Sequence, residues 1–416
     1  MTDLLNVDDA LAQVLDGIAP LPAERVKLSD SLGRVLAEDL RAEVNLPPFP
    51  NSALDGYAVR AADVATATPQ TPSRLPVVMD IPAGKAPKGV LQAGQAARIM
   101  TGAPLPEGAD AVIPVENTDA RWTAEQPETL STIVQIYRSA QPGDGVRQVG
   151  DDLRMGQRIV PAGSVLRAQE IGVLASLGQV YVPVIRQPRV AIISTGDELV
   201  DIHEPLSPGK IRDSNSYMLA ALVTTCGGTA LRLPVARDTL DDVRRRFRDA
   251  LDQRPDVILS SAGVSVGAFD VVRTILEELG QINFWRINLR PGKPLAFGHL
   301  QGVPFFGLPG NPVSAIVTFD VFVRPVLLRL GNRMDEGSTI TVTTGQDIES
   351  DGRRSYLRVK LVSDNGQLIA RLTGTQISSA LISMVLADGL LIVPEGITHV
   401  PAGTPMPVRL LRYMSI

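Results

Sequence analysis

Three short segments combine small residues with charge in ways that could hold an anion beside a hard cation, and a fourth is an uncharged turn of the same loop type. Ser194-Thr195-Gly196-Asp197-Glu198 directly follows the apolar run RVAII. Its small residues would let a ligand approach the backbone, and two carboxylates come at once; a solvated turn explains the same letters equally well. Ser260 to Asp270 follows VIL and opens a helical pattern. Ser261, Gly263, Ser265 and Gly267 there would expose hydroxyls and backbone N–H groups, which cradle an oxyanion at a helix start. The spacing is neither a Walker loop nor a dinucleotide fingerprint. Asp270 reads as the helix N-cap, a role compatible with function. Arg286, Arg290 and Lys293 fall within FWRINLRPGKPLAFG. Alternate spacing along one extended segment would put the two arginines on one side, and Pro291-Gly292 turns the chain. The fourth segment is Leu308-Pro309-Gly310-Asn311-Pro312. A strand-to-helix turn with Asn311 as N-cap and Pro312 at N1 accounts for it fully.

Composition narrows the chemistry. The 416 residues carry 40 Lys+Arg against 45 Asp+Glu, a net charge of −5, which argues against a nucleic-acid binder. Three His (His203, His299, His399) and one Cys (Cys226) cannot build a His/Cys zinc cluster within one chain. A single Cys forms no intrachain disulfide and fits a reducing compartment. Protein ligands to any metal would be oxygens, which points to a hard ion such as magnesium. The N-terminus MTDLLNVDDALAQVL is acidic where a signal peptide would be basic. The most apolar stretch, 303–330, is interrupted by Pro309, Asn311, Pro312, Asp320 and Arg324. The expectation is a soluble, cytoplasmic protein with no membrane partner.

The elements that must position these loops follow from periodicity. Over 181–331, strand runs (RVAIIS, TALRLPV, PDVILS, VPFFGL) alternate with helical patterns, among them Leu240, Val243, Phe247 and Leu251. Alternation of this kind predicts a doubly wound, mostly parallel α/β domain. In such sheets ligands bind at the carboxyl ends of strands, where all four segments fall. Before it, Val7, Leu11, Val14, Leu15 and Ile18 share a helical face, and Leu32, Val35 and Leu36 suggest a second short helix. The prolines at 47, 48 and 50 form a stiff connector. The predicted organisation is a split, mixed N-terminal domain (1–49 with 145–180), an inserted β-rich domain (50–144), the α/β domain (181–331) and a small barrel-like β domain (332–416). Cys226, on a helical face before Gly227, reads as a buried structural thiol.

The ordered series NSALDGYAVR, RIMTGAPLPEGADAVIPVE, STGDEL, SSAGVSVGAFD, RPGKPLAFG, LPGNPVSA and SSALISMVLADGLLIVPEG resembles the molybdopterin molybdenumtransferase family, which includes MoeA and the gephyrin E domain. The resemblance spans essentially the whole chain. It implies insertion of molybdate into adenylylated molybdopterin with release of AMP, a magnesium requirement and a homodimer of four-domain chains. Possible further partners are the adenylyltransferase that makes the substrate and the enzymes that accept the cofactor. Carried over by motif, the implied catalytic positions are Asp55, Thr101, Asp152, Glu198, Asp238, Asp270, Arg286, Arg290 and Lys293, with Glu198 and Asp270 as magnesium ligands. The implied substrate-binding set is Ser194, Thr195, Gly196, Ser214, Asn215, Ser261, Gly263, Ser265, Gly267, Pro309, Gly310, Asn311 and Pro312. Three residues depart from the family pattern: arginine stands at 286 and 290 where lysine is usual, and Ala262 stands where a second glycine is usual. The alternatives are the adenylyltransferase itself, against which the flanking domains argue, and a non-enzymatic gephyrin-like scaffold, whose extra N-terminal domain and linker are missing.

Overall fold

In the computed structural model the described residues are 4–121, 132–261, 269–335, 339–364 and 366–411, with side chains at 269–271 and 284 excepted. They fall into two compact units: Met1–Glu38 with Gly163–Ile171 and Val180–Ile416, and Asp39–Ala162 with Gly172–Gln179.

The first unit is built on a six-stranded sheet. In chain order its elements are β1 (Arg189–Ser194), α1 (Ser214–Thr225), β2 (Thr229–Arg232), α2 (Leu240–Asp252), β3 (Val257–Ser261), α3 (Phe269–Leu279), β4 (Gly280–Arg286), β5 (Pro294–Leu300), β6 (Val303–Leu308) and α4 (Pro312–Thr318). The strand order is β2-β1-β3-β6-β5-β4. The first four strands are parallel, and β5 and β4 add an antiparallel edge.

Strand alternation sends side chains to two separate cores. Val190, Ile192, Val257, Leu259, Phe306 and Leu308 pack with Leu219 and Val223 of α1 and Val317 of α4. Ala191, Ile193, Ile258 and Phe305 pack with Val243, Phe247 and Ala250 of α2 and Val272, Ile275 and Leu276 of α3. Apolar residues on both faces are what a parallel strand covered by helices requires. Helix starts are chemically marked. The Asp213 carboxylate accepts from the Ser216 amide at 3.0 Å, and the Thr239 hydroxyl accepts from the Asp242 amide at 3.4 Å. The helix therefore begins at Ser214, with Asp213 as its cap. After α4 the helix passes through one π turn, Phe319–Val323, into a helix over Arg324–Leu330. Pro325, which has no N–H to donate, stands in the first turn of that last segment.

Five strands of the same unit close into a barrel in the order Arg354–Asp364, Gln367–Leu372, Thr339–Thr344, Pro405–Leu410, Gly389–Val393 and back to the first. Val342, Leu357, Val359, Leu391 and Val408 fill it. The N-terminal helix, Val7–Leu15, buries Val7, Ala10 and Val14 against the larger core, and Asn6 caps it by accepting from the Asp8 and Asp9 amides. The second helix expected around Leu32 is absent. Gly33 adopts φ 72°, which interrupts any helix, and Val35 and Leu36 form isolated bridges to Val165 and Val184.

The second unit holds a five-stranded mixed sheet in the order Ala111–Pro114, Gly56–Val59, Ala96–Ile99, Ser73–Ile81, Ile133–Ile136, in line with its Pro/Gly-punctuated sequence. In the helix Ala168–Ser176, whose apolar spacing at Ile171, Leu174 and Ala175 suggests one inward face, Leu174 is buried and Ala175 is exposed.

Phe247 is fully buried, its ring centroid 5.8 Å from that of Phe305. Phe247→Ala removes this α2–sheet contact and leaves a cavity. We expect a loss of about 3–5 kcal/mol, read as a lowered melting temperature. An unchanged melt would contradict this packing.

Candidate functional site

The carboxyl ends of β1, β3 and β6 converge on one rim of the sheet. At the end of β1, Ser194 and Thr195 are each 1% exposed, and their hydroxyl oxygens have no hydrogen-bond partner among the described residues. Thr195 bridges to Ala236 in the loop after β2, and the Gly196 amide donates to the Ala236 carbonyl at 3.1 Å. Gly196 has φ 150°, and a Cβ there would stand 2.6 Å from a Glu198 carboxylate oxygen. Glycine thus lets the Glu198 carboxylate fold back over the loop backbone. The bridge also brings Asp238 into place. The Asp197 amide donates to the Asp238 carboxylate and the Asp238 amide donates to the Asp197 carboxylate, each at 3.3 Å. The second oxygen, Asp238 Oδ1, is buried and has no partner among the described residues.

One side chain ties the other two strand ends together. Asn215 Nδ2, in the first turn of α1, donates to Ser261 Oγ at 2.8 Å and to the Gly310 carbonyl at 2.7 Å. Both amide hydrogens are used, and Asn215 Oδ1 is left buried with no partner among the described residues. Buried polar atoms of this kind are costly without a partner, so this rim is shaped for a ligand that supplies one.

Three expectations need correction. Asn311 occupies the N-cap position of α4, but its side chain makes no cap bond; Nδ2 donates instead to Ser378 Oγ at 3.0 Å. The amide of Val313 is satisfied by the Ser378 carbonyl at 3.1 Å. Pro312, at N1, needs no acceptor. Second, Asp270 lies inside α3, whose helix already includes Phe269, so Asp270 is not the N-cap. Its side chain and the residues Ala262, Gly263, Ser265 and Gly267 lie outside what is described. Third, Arg286 and Arg290 do not share one extended strand. Arg286 ends β4, paired with Pro294, whereas Leu289–Arg290 pairs in parallel with Arg354 and Ser355 of the barrel. Between them the Ile287 amide donates to the Lys293 carbonyl at 2.8 Å, closing the β4–β5 hairpin.

That hairpin still reaches the rim. Ala296 of β5 pairs with Gly307 of β6, so Pro294 and Arg286 stand beyond the carboxyl end of β6, level with Pro309 and Gly310. Gly292 packs the hairpin against α4, where a Cβ would stand 2.5 Å from Thr318 Oγ1; its φ is 115°. Arg290 pairs with Asp351 at 3.7 Å, and Asp351 also binds Arg353 at 2.5 Å. The structure therefore brings together Ser194, Thr195, Gly196, Glu198, Asp238, Asn215, Ser261, Pro309, Gly310, Asn311, Arg286, Arg290 and Lys293, with Ser214 opening α1 beside them. Asp197, quoted with Glu198 as one of the two carboxylates after RVAII, takes part through Asp238, and Ser378 and Asp351 take part without having been singled out by their spacing. Cys226 is buried and its thiol is pushed up to about 11 by desolvation, as a structural thiol should be.

In the second unit Asp55 and Thr101 are directly joined. The Thr101 amide and hydroxyl both donate to Asp55 Oδ1, at 2.7 and 2.8 Å. Ser52 and Ala103 fix the two loops, the Ser52 amide donating to the Ala103 carbonyl at 3.0 Å. The two Thr101 bonds hold the Asp55 carboxyl below the usual carboxylate range, the amide bond contributing most. Asp152 lies on an exposed turn in the same unit, its amide donating to the Leu46 carbonyl at 3.0 Å.

A three-layer α/β domain with a polar strand-end rim, a terminal barrel and a separate β-rich unit defines a multidomain ligand-binding enzyme class. Family models cover the chain in three parts: the MoeA N-terminal region (domain I and II) over residues 5–178, a probable molybdopterin binding domain over 191–329, and the MoeA C-terminal region (domain IV) over 341–411. Molybdopterin molybdenumtransferase 2 of Mycobacterium tuberculosis is 39% identical over 394 residues, covering 92% of this chain and 94% of that one. The molybdopterin molybdenumtransferase of Bacillus subtilis is 35% identical over 98% of this chain and 94% of its own. A crystal structure of the molybdopterin biosynthesis MoeA protein from Pyrococcus horikoshii superposes with TM-score 0.80 at 34% identity, covering 99% of this chain and all of that one. The chain belongs to the molybdopterin molybdenumtransferase family, a family of transferases of molybdenum cofactor biosynthesis. Among the described residues no helix is long and apolar enough to cross a membrane.

Thr101→Val removes the hydroxyl donor to Asp55 and leaves the amide donor. We expect the Asp55 pKa, followed by carboxyl carbon NMR, to rise partway toward its ordinary value near 4. A depressed carboxylate favours the folded state above its unfolded pKa, and that contribution is lost as pH falls through the folded pKa. The variant should therefore show a weaker loss of stability on acidification. An unshifted Asp55 titration would show that the hydroxyl bond has no effect in solution.

Proposed function

We propose that this chain inserts molybdate into adenylylated molybdopterin with release of AMP, assisted by magnesium, and that it acts as a cytoplasmic homodimer. The observation that carries the reading is the rim itself, where buried oxygens at Ser194, Thr195, Asn215 and Asp238 that have no partner among the described residues lie within one set of strand ends, with Arg286, Arg290 and Lys293 on the hairpin beyond. The hydroxyls of Ser194 and Thr195 can donate to an anionic or carbonyl oxygen, and Asn215 Oδ1 can accept from a ring N–H. The cationic hairpin suits molybdate and phosphate oxygens, because a guanidinium can grip an oxyanion with two parallel donors.

The donor set suits magnesium. Glu198 and Asp238 supply carboxylate oxygens at the strand ends. Magnesium is normally held by one or two carboxylates with waters and substrate phosphates, so a sparse protein set fits it. Glu198 would hold it together with Asp270. When bound, the ion supplies charge screening for the phosphates of the anhydride. Asn215 keeps Ser261 and Gly310 in register so that the rim presents its groups together.

The direct test is incubation with adenylylated molybdopterin, following AMP and cofactor with and without molybdate and magnesium. We expect AMP release to require both, and loss of magnesium-dependent release in Glu198→Gln. Release indifferent to molybdate would defeat the reading. Arg290→Ala should raise the molybdate needed for half activity by roughly 10- to 100-fold, the equivalent of about 1.5–3 kcal/mol for a hydrogen bond to a charged group. Arg290→Lys should fall between, since it keeps charge and loses the fork. Equal molybdate titrations for all three proteins would remove Arg290 from the site.

A further inference from the structure

The first unit has a cavity of about 560 Å³ at the antiparallel edge of the sheet, a size in the range of small-molecule sites. Leu300 of β5 pairs with Val303, the first residue of β6, so this cavity lies toward the amino-terminal end of the parallel strands. The strand-end rim occupies the other end. Gln281, Asn283 and Trp285 alternate along β4 and so share a face, with His299 and Phe297 directly across on β5. Trp285, half-buried, is the accessible ring: Phe297, 6% exposed, packs behind it with centroids 5.3 Å apart and planes tilted by 35°, and His299 stands edge-on to Phe297 at 5.8 Å. The two-residue turn Gln301-Gly302, with φ 49° and 84°, sets a further carboxamide at the edge of the cavity. Asp16, just past the N-terminal helix, adds a carboxylate, and no Lys or Arg lines the cavity among the described residues.

We infer that this cavity binds a purine ring, stacked on the Trp285 indole and read by the carboxamides of Gln281 and Asn283. Three properties select that class. Flat aromatic surface rewards a planar ring whatever its substituents. A carboxamide offers one donor and one acceptor group side by side, which matches the adjacent acceptor and amino group on the adenine edge. The lack of a cation, together with Asp16, gives no reward to a phosphate, so the site takes the base and leaves the rest of a nucleoside or nucleotide to solvent. That charge pattern is the reverse of the cationic hairpin at the other end of the sheet.

The test uses the full chain carrying Trp122→Phe, so that Trp285 is the one remaining tryptophan. Adenosine, AMP and uridine are titrated separately while tryptophan fluorescence is followed. We expect saturable quenching by adenosine, AMP no tighter than adenosine, and uridine much weaker. Gln281→Ala with Asn283→Ala should raise the half-saturating adenosine concentration by roughly tenfold, the loss of about 1.4 kcal/mol. Asn283→Asp, nearly the same size, covers the case in which the double variant melts early, and it should also weaken binding. Glu198→Gln should bind adenosine unchanged. No saturable quenching, AMP binding much tighter than adenosine, variants equal to the parent, or loss of binding in Glu198→Gln would each overturn the proposal. The last outcome would place the ligand at the transferase rim, and activity of that rim does not enter any of the readouts.

Discussion

Burial of both faces of the parallel strands is the constraint on which the rest of the structure depends. Val190 and Ile192 face one core while Ala191 and Ile193 face the other, so none of the four residues of β1 from Val190 to Ile193 can meet solvent or ligand. The same holds for Val257 to Leu259 in β3. Polar chemistry is thereby expelled to the strand ends, and parallel pairing puts those ends on one rim. Ser194 pairs with Ser261, and Ser261 with Leu308, in consecutive strands. Convergence of the loops follows from strand register, with no need for long-range design in the loops themselves.

Register alone does not fix loop conformation, and a small number of polar bonds complete it. Asn215 spans from α1 to two strand ends with a single amide group. The turn after β6 is finished from outside the sheet, because Ser378 takes the Asn311 side chain and the Val313 amide. Ser378 itself lies in a segment anchored by the barrel. Arg358, 1% exposed, donates to Ser383 Oγ and to the carbonyls of Thr375 and Ile377. Burying a guanidinium is costly unless its donors find acceptors, and three oxygens on this one segment take three of its five N–H groups. Losing that charge would release the segment that completes the α4 turn, so the barrel contributes to the rim through hydrogen bonds without lending a strand to the sheet.

How much of this was legible in the sequence depends on whether the determinant was local. The helices over 240–252 and 269–279 and the strands at 189–194 and 303–308 follow from apolar spacing alone, because side-chain periodicity is a property of the chain itself. The Asp55–Thr101 contact was reachable only through the family resemblance, since 46 positions separate its partners. The cap at Asn311 was misread because a good local capping residue was drawn to Ser378, 67 positions away. The Arg286–Arg290 segment was misread for a related reason: an extended pattern says nothing about which sheet each end joins, and this one divides between the central sheet and the barrel. The helix expected at Leu32 failed at a glycine with positive φ, a signal present in the letters but outweighed by the apolar spacing around it.

The two ends of the sheet differ in chemistry for a geometric reason. At the carboxyl end, parallel strands deliver consecutive loops and helix starts, which bring exposed N–H groups and favour negative ligands. The hairpin carrying Arg286, Arg290 and Lys293 adds cations to the same end, because β5 runs antiparallel to β6 and so begins where β6 stops. At the amino end the antiparallel edge presents a face of alternating side chains, Gln281, Asn283 and Trp285, beside Gln13 of the N-terminal helix. A carboxylate at Asp16 is placed there by the chain leaving that helix. Switching from parallel to antiparallel pairing at β5 therefore does two things at once. It carries cations to the rim that handles anions, and it opens an aromatic, cation-poor face at the opposite end of the same sheet.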